Sequence, residues 1–216
     1  MSDCAVIPFY NEINNLRRVV VNSLNFVDFV IAVNDGSDDN CEKEIENIKN
    51  VELINLQLNS GKGNALKFGF DKALSLKFKK IITLDADFQH DPELIPKILD
   101  QLENYEIVIG NRLNNLKGMP FHRRLSNILT SFLLSLKTGQ KILDSQCGFR
   151  GYKSTVLQSI QTSYAGFEAE SEILVLAAKK GFKIGFVEIP TKYTGGKSKM
   201  RPFKTILGFL KVIINK

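Results

Sequence analysis

Apolar and polar positions alternate in blocks along the first half of the chain. Short apolar runs stand at Cys4–Pro8, Phe29–Val33, Val51–Leu56, Ile81–Leu84 and Ile107–Ile109. Runs of this length, apolar on consecutive positions, predict strands buried on both faces. Between them, Leu16, Val19, Val20 and Leu24, and then Ala65, Phe68, Ala73 and Leu76, recur at helical spacing. Strands alternating with helices predict βαβ units, hence an α/β chain with a mostly parallel sheet flanked by helices. Ligands of such sheets bind beyond the carboxyl ends of the strands, so the polar segments found there are the first places to look for chemistry.

The second half has a different rhythm. A helix is expected over Phe121–Leu136, with Phe121, Leu125, Ile128, Leu129, Phe132, Leu133 and Leu136 on one stripe. That stripe reads as a face turned to the core, although the basic entrance His122-Arg123-Arg124 also suits a lipid groove. Another helix is expected near Ala169–Lys180, stopped by Gly181, followed by a strand over Lys183–Ile189. A last helix, from about Pro202, aligns Phe203, Ile206, Leu207, Leu210, Ile213 and Ile214, with Lys204, Lys211 and Lys216 at its flanks. This pattern suits a membrane-surface helix, a docking helix or a dimer contact. No repeat, low-complexity tract or long linker divides the chain, so one domain is expected.

Charge sharpens this picture. The net charge of +6 is concentrated in two segments: residues 111–143 carry six basic residues and 189–216 carry seven, neither with an acid, while the remainder holds 16 basic against 23 acidic residues. An anionic partner is implied: phosphate, anionic lipid or nucleic acid. Aromatic residues are not interleaved with the basic ones as stacking platforms, which counts against nucleic acid. The cysteines (Cys4, Cys41 and Cys147) are scattered and odd in number, pointing to a reducing compartment. The opening residues enter a strand-like run without a basic-then-apolar leader, and no apolar stretch approaches the roughly 20 residues of a spanning helix. The expected location is therefore cytoplasmic, with at most peripheral contact at the cytoplasmic membrane face.

The candidate chemistry falls at the predicted strand ends. Asp85-Ala86-Asp87-Phe88-Gln89-His90-Asp91-Pro92 follows Ile81–Leu84. Residues two apart in an extended segment project to one side, so Asp85, Asp87 and Gln89 can converge on a point. Two crowded carboxylates call for a proton or a divalent cation, and hard oxygen ligands suit Mg2+ or Mn2+. A helix cap before Pro92 explains the same acids without a ligand. Asn34-Asp35-Gly36-Ser37 can accept hydrogen bonds from a nucleoside or form an ordinary Asx turn. Asn59-Ser60-Gly61-Lys62-Gly63 offers backbone, helix N-terminus and lysine to a phosphate, but lacks the Walker spacing.

The order of these motifs, beginning with Pro8-Phe9-Tyr10-Asn11-Glu12 and continuing through Gly110-Asn111-Arg112, Asp144-Ser145-Gln146-Cys147-Gly148-Phe149-Arg150 and Glu188-Ile189-Pro190, resembles the family 2 glycosyltransferases, and within them the dolichol-phosphate mannosyltransferases and polyprenyl-phosphate glycosyltransferases. The resemblance covers nearly the whole chain. It implies a GT-A (Rossmann-like) fold over 1–216, with a nucleotide-sugar half at 1–110, an acceptor half at 111–200 and an amphipathic helix at 201–216. It also implies inverting transfer of mannose or glucose from a GDP- or UDP-linked sugar to a polyprenyl phosphate.

By that resemblance Pro8, Tyr10, Glu12, Asp35, Lys62 and Asp85 bind the donor. Asp85, Asp87 and Gln89 hold Mg2+ or Mn2+, and Arg112, one of Arg123 or Arg124, and Arg150 meet the acceptor phosphate. Asp87, Arg112 and Arg150 are the expected catalytic residues. Gly195-Gly196-Lys197-Ser198-Lys199 resembles the family's flexible donor loop. Asn34 and Cys147 depart from the family pattern. A phosphate acceptor is already anionic and needs no strong base, whereas a glycan hydroxyl would call on Asp144, Glu168, Glu170 or Glu172. A non-catalytic nucleotide-sugar-binding module is the third reading.

Overall fold

The structure, a computed structural model, describes residues 3–113, 119–190 and 202–215. Its strands are β1 (Asp3–Phe9), β2 (Phe29–Asn34), β3 (Val51–Asn55), β4 (Lys80–Thr83), β5 (Ile107–Asn111), β6 (Arg150–Lys153) and β7 (Ile184–Glu188). They form one sheet in the order β3-β2-β1-β4-β6-β5-β7. Pairings are parallel except those of β6, which runs antiparallel to β4 and β5. The helices are α1 (Leu16–Ser23), α2 (Lys62–Ser75), α3 (Ile95–Gln101), α4 (Phe121–Thr138), α5 (Ser154–Ser159), α6 (Ala169–Lys179) and α7 (Pro202–Asn215).

The central strands are apolar on consecutive positions because both faces are covered. Cys4 to Ile7, Val30 to Val33, Ile81 and Ile82, and Ile107 to Ile109 are fully buried. Register then fixes where the loops emerge. Phe9 lies beside Asn34, which lies beside Asn55, so the segments after β1, β2 and β3 leave from one edge. Val6 pairs with Thr83, bringing the segment after β4 to the same edge. The antiparallel β6 starts there, with Arg150 opposite both Thr83 and Ile109.

Several expectations need correction. The buried face of α2 is Ala65, Leu66, Phe70 and Ala73, while Phe68 and Leu76 are largely exposed. Cys41–Glu44 forms a short 3-10 turn. Helix α6 ends where Gly181 adopts a left-handed φ of 82°, as its sequence predicts.

The largest correction concerns α4. Its apolar stripe does not face the core: Phe121 (76%), Leu125 (57%), Leu129 (55%), Phe132 (57%) and Leu136 (67%) are exposed. Asn127, Ser131 and Leu134 point inward instead. The expected loop at 195–199 lies outside the described residues, as does residue 201 at the start of the last expected segment.

Candidate active site

The strand-end loops are stitched to one another. Asn11 adopts a left-handed φ of 52°, and its N–H donates to Ser37 Oγ at 3.0 Å. Asp38 N–H returns to Asn11 Oδ1 at 2.9 Å, and Ile13 N–H donates to Asp39 Oδ2 at 3.0 Å. Tyr10 and Glu12, predicted to line the donor site, therefore stand on a loop pinned from the next strand. Pro8 is a buried residue of β1. Asp35 is buried as well: its carboxylate accepts from Ser60 N–H (2.8 Å) and Gly61 N–H (3.0 Å). Through these bonds it shapes the glycine turn.

That turn launches α2 and sets Lys62 at its first residue. Lys62 Nζ lies 2.8 Å from Asp85 Oδ1 and 2.9 Å from Glu170 Oε2. Burial works against the ammonium charge, but the two carboxylates outweigh it and hold the Lys62 pKa above the ordinary lysine value. Burial likewise opposes the charge of Asp85, yet Lys62 keeps that carboxyl below its usual range. Gly148 makes room for the pair, since a Cβ there would fall 2.5 Å from Asp85 Oδ2 and 2.7 Å from Lys62 Nζ. Gly63 lets α2 approach the loop before α6, because its Cβ would meet Gly166 O and the Ala169 side chain at 2.5 Å.

Asp87 is the contrasting carboxylate. Burial, and then the charge of Asp85, push its pKa up to about 6, and Gln89 N–H donates to its Oδ1 at 3.0 Å. The capping acid in this segment is Asp91, which accepts from Glu93 N–H, so a helix cap does not account for Asp85 or Asp87. His90 is buried against the Phe149 ring, and burial lowers its pKa to about 4.

The predicted arginines separate into three situations. Arg112 is gripped in a fork by Asp144, with Nε to Oδ2 at 2.8 Å and Nη2 to Oδ1 at 3.0 Å. Asp144 is fully buried and also accepts from Arg112 N–H, Asn127 Nδ2 and Gln146 N–H. Arg150 is wholly buried, its Nε, Nη1 and Nη2 donating to the carbonyls of Cys147, Glu170 and Ser145 at 2.7, 2.9 and 2.8 Å. A guanidinium so engaged braces the start of β6 against α6. Arg123 and Arg124 lie in the first turn of α4, Arg124 exposed and Arg123 partly covered.

The family model described as "Glycosyl transferase family 2" matches residues 4–161. The chain belongs to that family. Relatives of this family 2 chain include the UDP-N-acetylglucosamine–dolichyl-phosphate N-acetylglucosaminyltransferase of Methanococcus voltae, 35% identical over 94% of this chain and 90% of that protein. The dolichol-phosphate mannosyltransferase of Pyrococcus furiosus is 28% identical over 99% of this chain and 63% of its own length. Among solved structures, glucosyl-3-phosphoglycerate synthase from Mycobacterium tuberculosis with Mn2+, uridine diphosphate and phosphoglyceric acid aligns with a TM-score of 0.75. That alignment covers 98% of this chain and 76% of the other at 17% identity. The same enzyme with Mg2+ and uridine diphosphate gives 0.70. The likeness establishes the GT-A fold, with its mostly parallel sheet and flanking helices.

For a family 2 chain the metal question turns on the donor set. Among the described residues no three His, Cys, Asp or Glu side chains converge into a cage. Mg2+ rarely needs one, since it commonly takes one or two carboxylates and completes its shell with water and substrate phosphate oxygens. Asp85, Asp87 and Gln89 provide hard oxygens of the kind Mg2+ and Mn2+ accept. The residues fit a divalent ion shared with a diphosphate.

Three features of the site were not assigned from sequence. Glu170, a candidate base for a hydroxyl acceptor, links Lys62 to α6. Asn127 and Ser131 bind the Asp144-Ser145 segment from α4. Glu172, another candidate base, is fully buried and holds Ser163 and Tyr164.

Proposed function

We propose that this chain transfers a hexose from a nucleotide sugar to a polyprenyl phosphate, with inversion at the sugar carbon. The observation that carries the reading is the meeting of Lys62, Asp85 and Asp87 at the open edge of the sheet, beside the start of α2. A helix N-terminus with a lysine attracts a diphosphate, and the paired carboxylates suit the cation that accompanies it. Asp85, Asp87 and Gln89 would hold Mg2+ or Mn2+, which when bound neutralises charge developing on the leaving diphosphate. Lys62 adds a second positive charge there and keeps Asp85 ionised. Tyr10 and Glu12, on the loop pinned by Ser37 and Asp39, line the nucleoside side, with Pro8 and Asp35 fixing its walls from behind.

Acceptor binding falls to the basic groups of the second half. Arg123 and Arg124 supply charge from the first turn of α4, while Asp144 holds Arg112 rigid. Three of the four carboxylates that a hydroxyl acceptor would use as a base, Asp144, Glu170 and Glu172, are committed to internal partners. This favours an acceptor that is already anionic. The remaining one, Glu168, packs against Gly166 and Gly208.

The printed activities of the relatives support a lipid-phosphate acceptor but differ in sugar, so N-acetylglucosamine joins mannose and glucose as a donor to be tried. The test offers GDP-mannose, UDP-glucose and UDP-N-acetylglucosamine separately with a polyprenyl phosphate, and measures lipid-linked sugar with and without EDTA. Metal-dependent product from one donor is expected. Transfer that proceeds undiminished in EDTA would remove the metal assignment, and product only with a glycan acceptor would remove the lipid.

A further inference from the structure

We propose that Lys62 is a resident counter-ion that guards Asp85 against a free divalent cation, and that Glu170 is the positioning residue that lets it yield to one arriving with a diphosphate. These roles rest on the donor-site reading above. Lys62 Nζ is enclosed by the protein: Asp85 Oδ1 lies 2.8 Å away, Glu170 Oε2 2.9 Å, and the centre of the Phe167 ring 5.8 Å. The lysine side chain is 14% exposed and that of Glu170 9%, whereas Asp85 is 32% exposed. An ammonium so far removed from water is stable only against carboxylates. Two are in reach, so giving up one does not strand it, provided the other stays.

The two partners differ in that respect. Asp85 is the more open one, and Gly148 keeps its Oδ2 clear, since a Cβ there would stand 2.5 Å from that oxygen. Glu170 is the fixed one. Its carbonyl accepts from Arg150 Nη1 at 2.9 Å, and Gly63 lets the start of α2 approach Gly166 and Ala169 at the start of α6. Glu170 Oε1 is buried with no hydrogen-bond partner, and Arg150 Nε, 3.6 Å away, already donates to the Cys147 carbonyl. That unused oxygen gives Glu170 capacity to hold the ammonium without help from Asp85.

Charge then orders the events. A divalent ion arriving alone at Asp85 meets a positive charge already seated there, and repulsion between two cations on one carboxylate is strong in a partly buried site. A diphosphate reverses the balance, because its oxygens are drawn to the start of α2 and to the ammonium. Lys62 turns toward the phosphate, keeps its bond to Glu170, and frees Asp85 Oδ1. The site therefore takes ion and diphosphate together, each raising the affinity for the other by the same factor.

The test follows free Mn2+ by electron paramagnetic resonance in titrations of the wild type, Lys62→Met and Glu170→Gln. Each is titrated alone and with uridine or guanosine diphosphate, against protein-free mixtures. The wild type is expected to bind Mn2+ at least about tenfold more tightly with one nucleotide than without. Lys62→Met should bind Mn2+ alone at least about tenfold more tightly than the wild type and lose most of the nucleotide gain. Glu170→Gln leaves the ammonium to Asp85 and should bind Mn2+ alone more weakly. General damage to the site would weaken both variants, so the opposite signs are the signature. Melting temperatures show which variants fold, and if Lys62→Met does not, Glu170→Gln decides. A folded Lys62→Met that binds Mn2+ no more tightly than the wild type overturns the proposal, as does a folded Glu170→Gln with unchanged affinity. A wild type that binds no Mn2+ with either nucleotide would sink the donor-site reading and this one with it. Opposite shifts without transfer to any acceptor would leave Lys62 and Glu170 in these roles and sink the transferase reading alone.

Discussion

At the carboxyl edge of the sheet, charge is answered inside the chain: Lys62 lies between Asp85 and Glu170, Asp144 holds Arg112, and three carbonyls hold Arg150. Helix α4 is arranged differently. Its polar groups are answered inside, but its large apolar side chains are left facing out. In the first region Asp87 differs from its neighbours, its pKa raised to about 6 by burial and by Asp85. The second leaves its apolar side chains to solvent.

That contrast can be broken or sharpened by substitution. Arg150→Ala should have the largest effect on stability, about 3–5 kcal/mol, because it removes a buried cation and strands three carbonyls. Denaturant midpoints would show it, and a stable Arg150→Ala protein with only a raised acceptor KM would instead support a phosphate role. Asp87→Ala should lower transfer about a hundredfold or more without moving the melting temperature, as expected for a group that acts on developing charge. Gly63→Ala should cost about 1–3 kcal/mol, since the new methyl meets Gly166 O and Ala169 at 2.5 Å. Leu129→Asp/Phe132→Asp should change stability least, by about 0.5 kcal/mol or less, because those side chains are already in solvent. A large loss in that last variant would mean the stripe is packed after all.

The central strands and the four strand-end motifs were legible because burial on both faces writes continuous apolar runs, and register carries the loops to one edge. Strand β6 was not legible: Arg150-Gly151-Tyr152-Lys153 is too short and too polar to read as buried, and Arg150 is admitted only by the carbonyls around it. The inward residues of α4 escaped for a related reason. A periodic apolar stripe defines a face but not its direction, which here depends on Asn127 and Ser131 finding Asp144 and Ser145 far along the chain. The bonds from Asp35 to Ser60 and Gly61 were not legible, because a loop carboxylate next to a strand looks the same whether it holds a ligand or the neighbouring turn.

The most direct test of the site is a calorimetric titration of uridine and guanosine diphosphates into the wild type and Asp87→Ala, each with and without Mn2+. If the edge cluster is the donor site, one nucleotide binds the wild type markedly more tightly with Mn2+, and that gain disappears in Asp87→Ala. Equal binding by both proteins, or binding indifferent to the cation, would contradict the assignment of Asp85 and Asp87 to a cation-assisted donor site.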